Sequence, residues 1–223
     1  MYAIRAVRED STVLELGCGS GAVARELKKK GCRVTGVDPG TPAMEGFAAF
    51  HSHDLDAEDL PQELETYDYI LVLDRLEHLA SPEDFLRRLR ESCYADKTTL
   101  IMTAPNVGFF TLRLGLLLGQ FNYGRQGILD LTHKRLFTFG SFRRMVEQEG
   151  YVVRRMRGIP APFPKALGDG RLCRTLLWLN RLLIAVSPRL FAYQVYMEAR
   201  FVPPLDRLLE RTVEASRQRA AAP

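Results

Sequence analysis

The feature that most constrains this chain is the run Val13-Leu14-Glu15-Leu16-Gly17-Cys18-Gly19-Ser20-Gly21. A β-rich stretch, Thr12 to Leu16, ends in three alternating glycines. A helix-forming stretch, Ala22 to Lys30, follows at once, with Val23 and Leu27 at helical spacing and Gly31 as its stop. Glycine is needed where a chain turns sharply and a ligand approaches its backbone. Strand, glycine loop and helix in this order open a ligand site in a parallel α/β sheet. Gly17, Gly19 and Ala22 also satisfy the dinucleotide pattern G-x-G-x-x-G/A, so the loop alone does not choose its ligand. Glu15 does. A carboxylate two positions ahead of the first glycine is unfavourable beside a pyrophosphate and favourable beside a cationic amino acid bearing a sulfonium.

The same alternation continues to residue 104. Arg33 to Val37 reads as a second strand ended by Asp38-Pro39-Gly40, Pro42 to Phe50 as a short helix, and His51 to His53 as a weak third strand. Tyr67 to Leu73 is a buried-strand pattern. Ser81 caps a helix through Tyr94, with Pro82 in its first turn, and Thr98 to Thr103 is a fifth strand. Ligands of open α/β sheets bind beyond the carboxyl ends of the strands. Glu15, Asp38, Asp54 and Asp74 all fall there, a rim that welcomes a cation. Asp38 suits ribose hydroxyls. Asp54 suits an adenine amino group, with the backbone of neighbouring Leu55 at a ring nitrogen and Asp56 as a rival for the role.

After residue 104 the character changes. Residues 106–137 show no sheet element. Ser141 to Glu149 reads as a helix, Tyr151 to Met156 as a strand, Leu172 to Val186 as an apolar helix, Leu190 to Val202 as a long strand and Leu205 to Arg219 as a last amphipathic helix. Five alternating units followed by a helix and two late strands make a seven-stranded sheet closed by a hairpin. Leu172 to Val186 is shorter than the roughly 20 residues of a membrane span and contains Arg174, Asn180 and Arg181, so it is expected as a buried core helix. Charge divides in the same place. Residues 1–104 carry 12 basic and 19 acidic side chains, and residues 105–223 carry 19 basic and 8 acidic. The acidic half suits a cationic small molecule. The basic half suits an anionic substrate or surface.

VLELGCGSG, GVDPG, the Asp54 region, YDYILVLDRLEHL and the strand before Pro105-Asn106 resemble the successive motifs of class I S-adenosylmethionine-dependent methyltransferases. Within them, the chain is similar to the ubiquinone-biosynthesis O-methyltransferase-like group. PNVGFFTLRLGLLLGQFNYGRQGILDLTHKRLFT resembles a segment of bacterial members, many linked to cell-surface glycan or lipid pathways. The resemblance runs to about Gly158 and returns at LFAYQVYMEAR. It implies one α/β Rossmann-like domain over residues 1–223, with sheet order 3-2-1-4-5-7-6, strand 7 antiparallel and helices on both faces. Residues 1–104 would be its cofactor half and 105–223 its substrate and lid half, with a helical insertion at about 165–187. It also implies S-adenosylmethionine as donor and S-adenosylhomocysteine as product. Gly17, Gly19 and Gly21 would wrap the methionine part with Glu15 near its ammonium. Asp38 would hold the ribose, Asp54 and Leu55 the adenine, and Leu73 and Asp74 the border of the methionine end. Two features depart from the pattern: Arg75 replaces a small or β-branched apolar residue, and the segment before the first strand is short.

On the acceptor side, in-line methyl transfer to a hydroxyl benefits from a general base. His133, oriented by Asp130, is the candidate, with His78 nearby and Arg113, Arg125 and Arg135 available to an anionic group. No metal is expected: the four cysteines are scattered without a CxxC pair, and His51 and His53 read as surface residues. Reduced thiols suit a cytoplasmic protein, with peripheral contact at the inner membrane face left open. Nothing suggests a nucleic-acid partner, since no Asn-Pro-Pro-aromatic motif follows the fourth strand. The rival enzyme, an NAD-dependent oxidoreductase or epimerase, predicts an apolar residue at Glu15 and a parallel last strand. A non-catalytic cofactor-binding subunit predicts an acceptor side that is occluded or lacks a base.

Overall fold

The computed structural model describes residues 2–40, 45–56, 60, 64–93, 97–164, 168 and 170–202. Seven strands form one sheet: β1 Thr12–Leu16, β2 Arg33–Asp38, β3 Ala49–Ser52, β4 Tyr69–Leu73, β5 Thr99–Pro105, β6 Tyr151–Ile159 and β7 Gln194–Phe201. Their order is β3-β2-β1-β4-β5-β7-β6. β1 to β5 pair in parallel, and β7 runs antiparallel to both β5 and β6. The last two strands are the expected hairpin partners, and the parallel last strand required by the dinucleotide rival is overturned.

Strand residues alternate between faces, which divides the core in two. Leu14, Leu16, Ile70, Val72, Leu100 and Met102 pack with α3 (Pro82–Ser92) and α5 (Phe139–Gln148). Val13, Leu71 and Ile101 pack on the other side with α1 (Tyr2–Ala6) and α2 (Ala22–Lys28). Ser81 caps α3 by accepting from the Asp84 N–H, with Pro82 at the first helical position. α5 begins at a reciprocal capping box between Thr138 and Ser141.

Two differences from expectation have physical reasons. Ala49 and Phe50 belong to β3, not to a helix, because β3 takes its register from Thr35 to Asp38 of β2; residues 41–44 lie outside the described ones. The helix expected over 205–219 also lies outside them. Helix α6 (Arg171–Val186) is not a core helix: only Cys173 and Asn180 are buried. The reason is its place beside the edge strand β6, where a helix covers the sheet with a single stripe. Asn180 fixes it there, its Oδ1 accepting from the Ala161 N–H at 3.0 Å and its Nδ2 donating to the Phe191 carbonyl at 2.9 Å. Phe191 ends α7 (Pro188–Phe191). Helix α4 (Phe110–Leu117) has no buried residue at all.

Candidate functional site

The glycine loop forms a cradle at the carboxyl end of β1. Gly17, Gly19 and Gly21 have φ of 79°, 51° and 72°, a left-handed run that side-chain-bearing residues avoid. The reasons for glycine differ along the loop. A Cβ on Gly21 would lie 2.6 Å from the Phe47 ring, whereas one on Gly19 would meet nothing within 4 Å. Gly19 is the open crest. Asp38 closes the loop from β2: one oxygen accepts from the Gly19 N–H and the other from the Gly40 N–H, both at 3.0 Å. Each oxygen keeps a lone pair for a ribose hydroxyl.

Glu15 lies beneath this loop, 3% exposed, and its Oε2 has no hydrogen-bond partner. Burial, with the nearby Asp38 carboxylate, pushes it up to about 8. A buried carboxylate with an unmatched oxygen is costly unless a donor arrives. Beside it Arg75 lies along Gly17, so closely that a Cβ there would sit 2.7 Å from the Arg75 Cγ. The Arg75 Nε is buried and also lacks a partner. One unmatched acceptor and one unmatched donor flanking the same loop fit the ammonium and carboxylate of an amino-acid-bearing cofactor. The site therefore suits S-adenosylmethionine on its own chemistry.

The other expected cofactor residues divide. Leu55 is buried, and Asp54 accepts from the Asp56 N–H at 3.0 Å while staying exposed. Asp56 is not a free rival: it accepts from the Ala80 N–H at 2.9 Å and pairs with Lys134 at 3.3 Å. Leu73 ends β4. Asp74 follows with φ 48° and is spent on the scaffold, accepting from the Thr103 hydroxyl at 2.7 Å and the Gln194 amide at 2.9 Å.

Across the cleft, the turn after β4 meets the loop before α5. The Lys134 and Arg135 N–H groups donate to the Glu77 carbonyl at 2.8 and 3.0 Å. This clamp brings His78 and His133 together, ring centroids 4.8 Å apart. The His133 Nδ1 faces the Ile128 carbonyl at 2.9 Å, and the His78 Nδ1 faces the Thr132 carbonyl at 3.3 Å. A carbonyl only accepts, so Nδ1 carries a hydrogen in each ring, and in the neutral tautomer Nε2 is the nitrogen with the lone pair. Burial and neighbouring His133 lower the pKa of His78, which favours its neutral form. Glu77 completes the group. It is 1% exposed, neither carboxylate oxygen has a partner, and burial with nearby Asp74 pushes it up to about 8. One ligand atom from each of Glu77, His78 and His133 lies within 4.8 Å of the others.

Asp130 does not orient His133. Its carboxylate accepts from the Thr132 N–H and hydroxyl at 2.8 and 2.6 Å, bonds that hold it below the usual carboxylate range. The Ile128 carbonyl does the orienting instead. Arg135 is committed to Glu83, and Arg113 donates to the Gly108 carbonyl at 2.8 Å. Neither lies in the histidine cluster. Glu77 is the residue that sequence reasoning left without a role. Its signal was a Glu next to a His after a strand, but only the fold supplies the second histidine from 55 positions away.

A seven-stranded sheet of this order, a glycine cradle and unmatched groups for a cationic amino acid define a Rossmann-like methyltransferase domain. The chain belongs to the methyltransferase domain family, which matches residues 3–155. Its relatives include a ubiquinone biosynthesis O-methyltransferase of Aeromonas salmonicida, 26% identical over 66% of this chain and 65% of that protein. The protein of the same name from Burkholderia lata is 29% identical over 62% of this chain and 61% of its own length. The chain thus spans less than two thirds of either relative. Among solved structures, an S-adenosylmethionine-dependent methyltransferase of Mesorhizobium loti superposes with TM-score 0.57 at 15% identity, covering 89% of this chain and 96% of that one. A 1,6-didemethyltoxoflavin-N1-methyltransferase of Burkholderia thailandensis, bound to its substrate and S-adenosylhomocysteine, gives 0.56 at 17% identity over 87% and 72%. These likenesses show the fold.

Proposed function

We propose that this chain transfers a methyl group from S-adenosylmethionine to a hydroxyl of a small or lipid-linked acceptor, and that Glu77, His78 and His133 activate that hydroxyl. The names of the relatives support an oxygen acceptor, and the cluster supports its activation. In this reading residues 1–104 hold the donor and lend Glu77 and His78 to the acceptor side, which residues 105–223 otherwise supply. Glu15 meets the donor's ammonium, Arg75 its carboxylate, Asp38 its ribose and Asp54 with Leu55 its adenine. When bound, the donor supplies an electrophilic methyl group; the protein positions, desolvates and moves a proton.

The observation that carries the reading is the orphaned Glu77 carboxylate within 4.8 Å of a ring nitrogen of His78 and of His133. That set of donors suits a divalent cation, with each histidine held at Nδ1 by a carbonyl and presenting Nε2. Such an ion would keep Glu77 ionised and lower the pKa of an acceptor hydroxyl. Without an ion, the His133 Nε2 would accept the hydroxyl proton directly. Turnover of a catechol or other hydroxyl acceptor, measured after chelation and after re-addition of Mg²⁺, Mn²⁺ or Zn²⁺, separates the two. Loss and recovery of turnover establishes the ion; turnover indifferent to chelator assigns the proton to His133. Full activity in both Glu77→Gln and His133→Ala would refute the cluster altogether.

A further inference from the structure

Outside the site, the acceptor half presents an apolar face that its own described residues leave uncovered. Phe110, Leu114 and Leu117 of α4 recur at i, i+4 and i+7 on one side of the helix, and Leu117 is 83% exposed. In α6 the outward side carries Trp178, Leu182 and Val186, with Trp178 65% and Val186 78% exposed. Helix α4 approaches α7, the short helix that directly follows α6: the Phe110 ring lies 5.8 Å from that of Phe191. Clustered apolar exposure on this scale marks an interaction surface, unlike single exposed leucines.

Charge identifies what covers it. Arg113 in α4, Arg125 after it, and Arg171, Arg174 and Arg181 in α6 are all exposed. Neither helix contains an Asp or Glu, and none of the five arginines makes an ion pair among the described residues. The complement of such a face is apolar and negatively charged at once. An anionic bilayer surface offers both, acyl chains for the Leu and Trp side chains and headgroup phosphates for the arginines. A second copy of the chain does not, because a twofold contact sets the same arginines against each other. Among the described residues no helix is long and apolar enough to cross a membrane, so the helices would lie in the interface plane.

We infer that α4 and α6 together dock the chain on an anionic lipid surface. The face also adjoins the acceptor side. Phe109, which precedes α4, packs with Ile128, whose carbonyl orients His133. An acceptor dissolved in the bilayer would thus meet the reaction centre from the docked side. The docking itself does not depend on the reaction proposed above.

The test is flotation of the full chain with vesicles of phosphatidylcholine alone and of phosphatidylcholine mixed with phosphatidylglycerol. Binding to the anionic vesicles is expected, with little to the neutral ones and loss at high salt. The double variant Leu117→Glu/Trp178→Glu should release the chain from anionic vesicles while its S-adenosylhomocysteine affinity stays unchanged, since both side chains are exposed and remote from the glycine loop. Removing arginines singly, as Arg174→Gln or Arg181→Gln, should weaken binding about fivefold each. Equal binding by the double variant, or no preference for anionic vesicles, overturns the inference. So does a dimer in light scattering that the double variant makes monomeric while neither protein floats; that result assigns the face to a second copy.

Discussion

The β1–β4 half and the half that follows β5 use similar amounts of apolar side chain to opposite ends. In the first, Leu14, Leu16, Ile70 and Leu71 are fully buried, and the unmatched Glu15 Oε2 and Arg75 Nε flank the glycine loop. In the second, α4 buries nothing and α6 buries one stripe. The difference lies in what each element has to pack against. Helices between parallel strands are sandwiched by the crossover geometry. Helices inserted after the sheet's fifth strand lie at its edge and at the mouth of the cleft. Burial there depends on a partner, and the apolar surface of α4 and α6 stays uncovered among the described residues.

If the halves divide donor from acceptor, substitutions should separate two readouts, affinity for S-adenosylhomocysteine and turnover. The largest effect is expected at His133→Ala, which should lower turnover by about 10²- to 10⁴-fold with nearly unchanged S-adenosylhomocysteine affinity; a matching loss of affinity would break the division. Next is Asp38→Ala, which removes the acceptor for the Gly19 N–H as well as the ribose contact. It should weaken S-adenosylhomocysteine binding by about 10- to 100-fold in a calorimetric titration, as expected for charge-assisted hydrogen bonds. Unchanged affinity would take Asp38 out of the site. Gly21→Ala combines a left-handed φ with a contact to Phe47 and should cost about 1–3 kcal/mol in denaturant unfolding. Asn180→Ala, on the acceptor side, leaves the buried Ala161 N–H unmatched and should cost about 1–3 kcal/mol. Its signature is loss of α6 docking with donor affinity intact.

A pH dependence sharpens the same contrast. Glu15 stands at about 8 in the donor-free fold, against an ordinary 4.5. A carboxyl raised on folding contributes stability that is complete below the ordinary value and is lost as pH rises through the folded one. Melting temperature should therefore fall between about pH 5 and pH 8, while affinity for S-adenosylhomocysteine, whose ammonium favours ionised Glu15, rises over the same window. Glu15→Gln should flatten the affinity profile and remove only its share of the melting profile, because Glu77 follows the same direction. An affinity that is flat in the unmodified chain would dissociate Glu15 from the donor.

The places of the donor-side residues were legible in the chain because their determinants are local. Glu15, the three glycines and Asp38 sit at strand ends that hydrophobic alternation locates within a residue or two. Asp130 misled because its carboxylate is taken by Thr132, two positions on, and the Ile128 carbonyl holds His133 instead, a choice made only in the folded loop. The bonds of Asp74 to Thr103 and Gln194, and of Arg135 to Glu83, are long-range and leave no signal in the sequence.

By itself, then, the amino-acid sequence determined a seven-stranded, cofactor-cradling sheet, through two-residue alternation, glycine placement and helix caps that act within a few residues. Only the tertiary structure decided which groups were left without partners. Glu77 gains its neighbour His133, and α6 keeps one side uncovered among the described residues, because long-range packing satisfies some buried groups and strands others, and that accounting closes only in the folded chain.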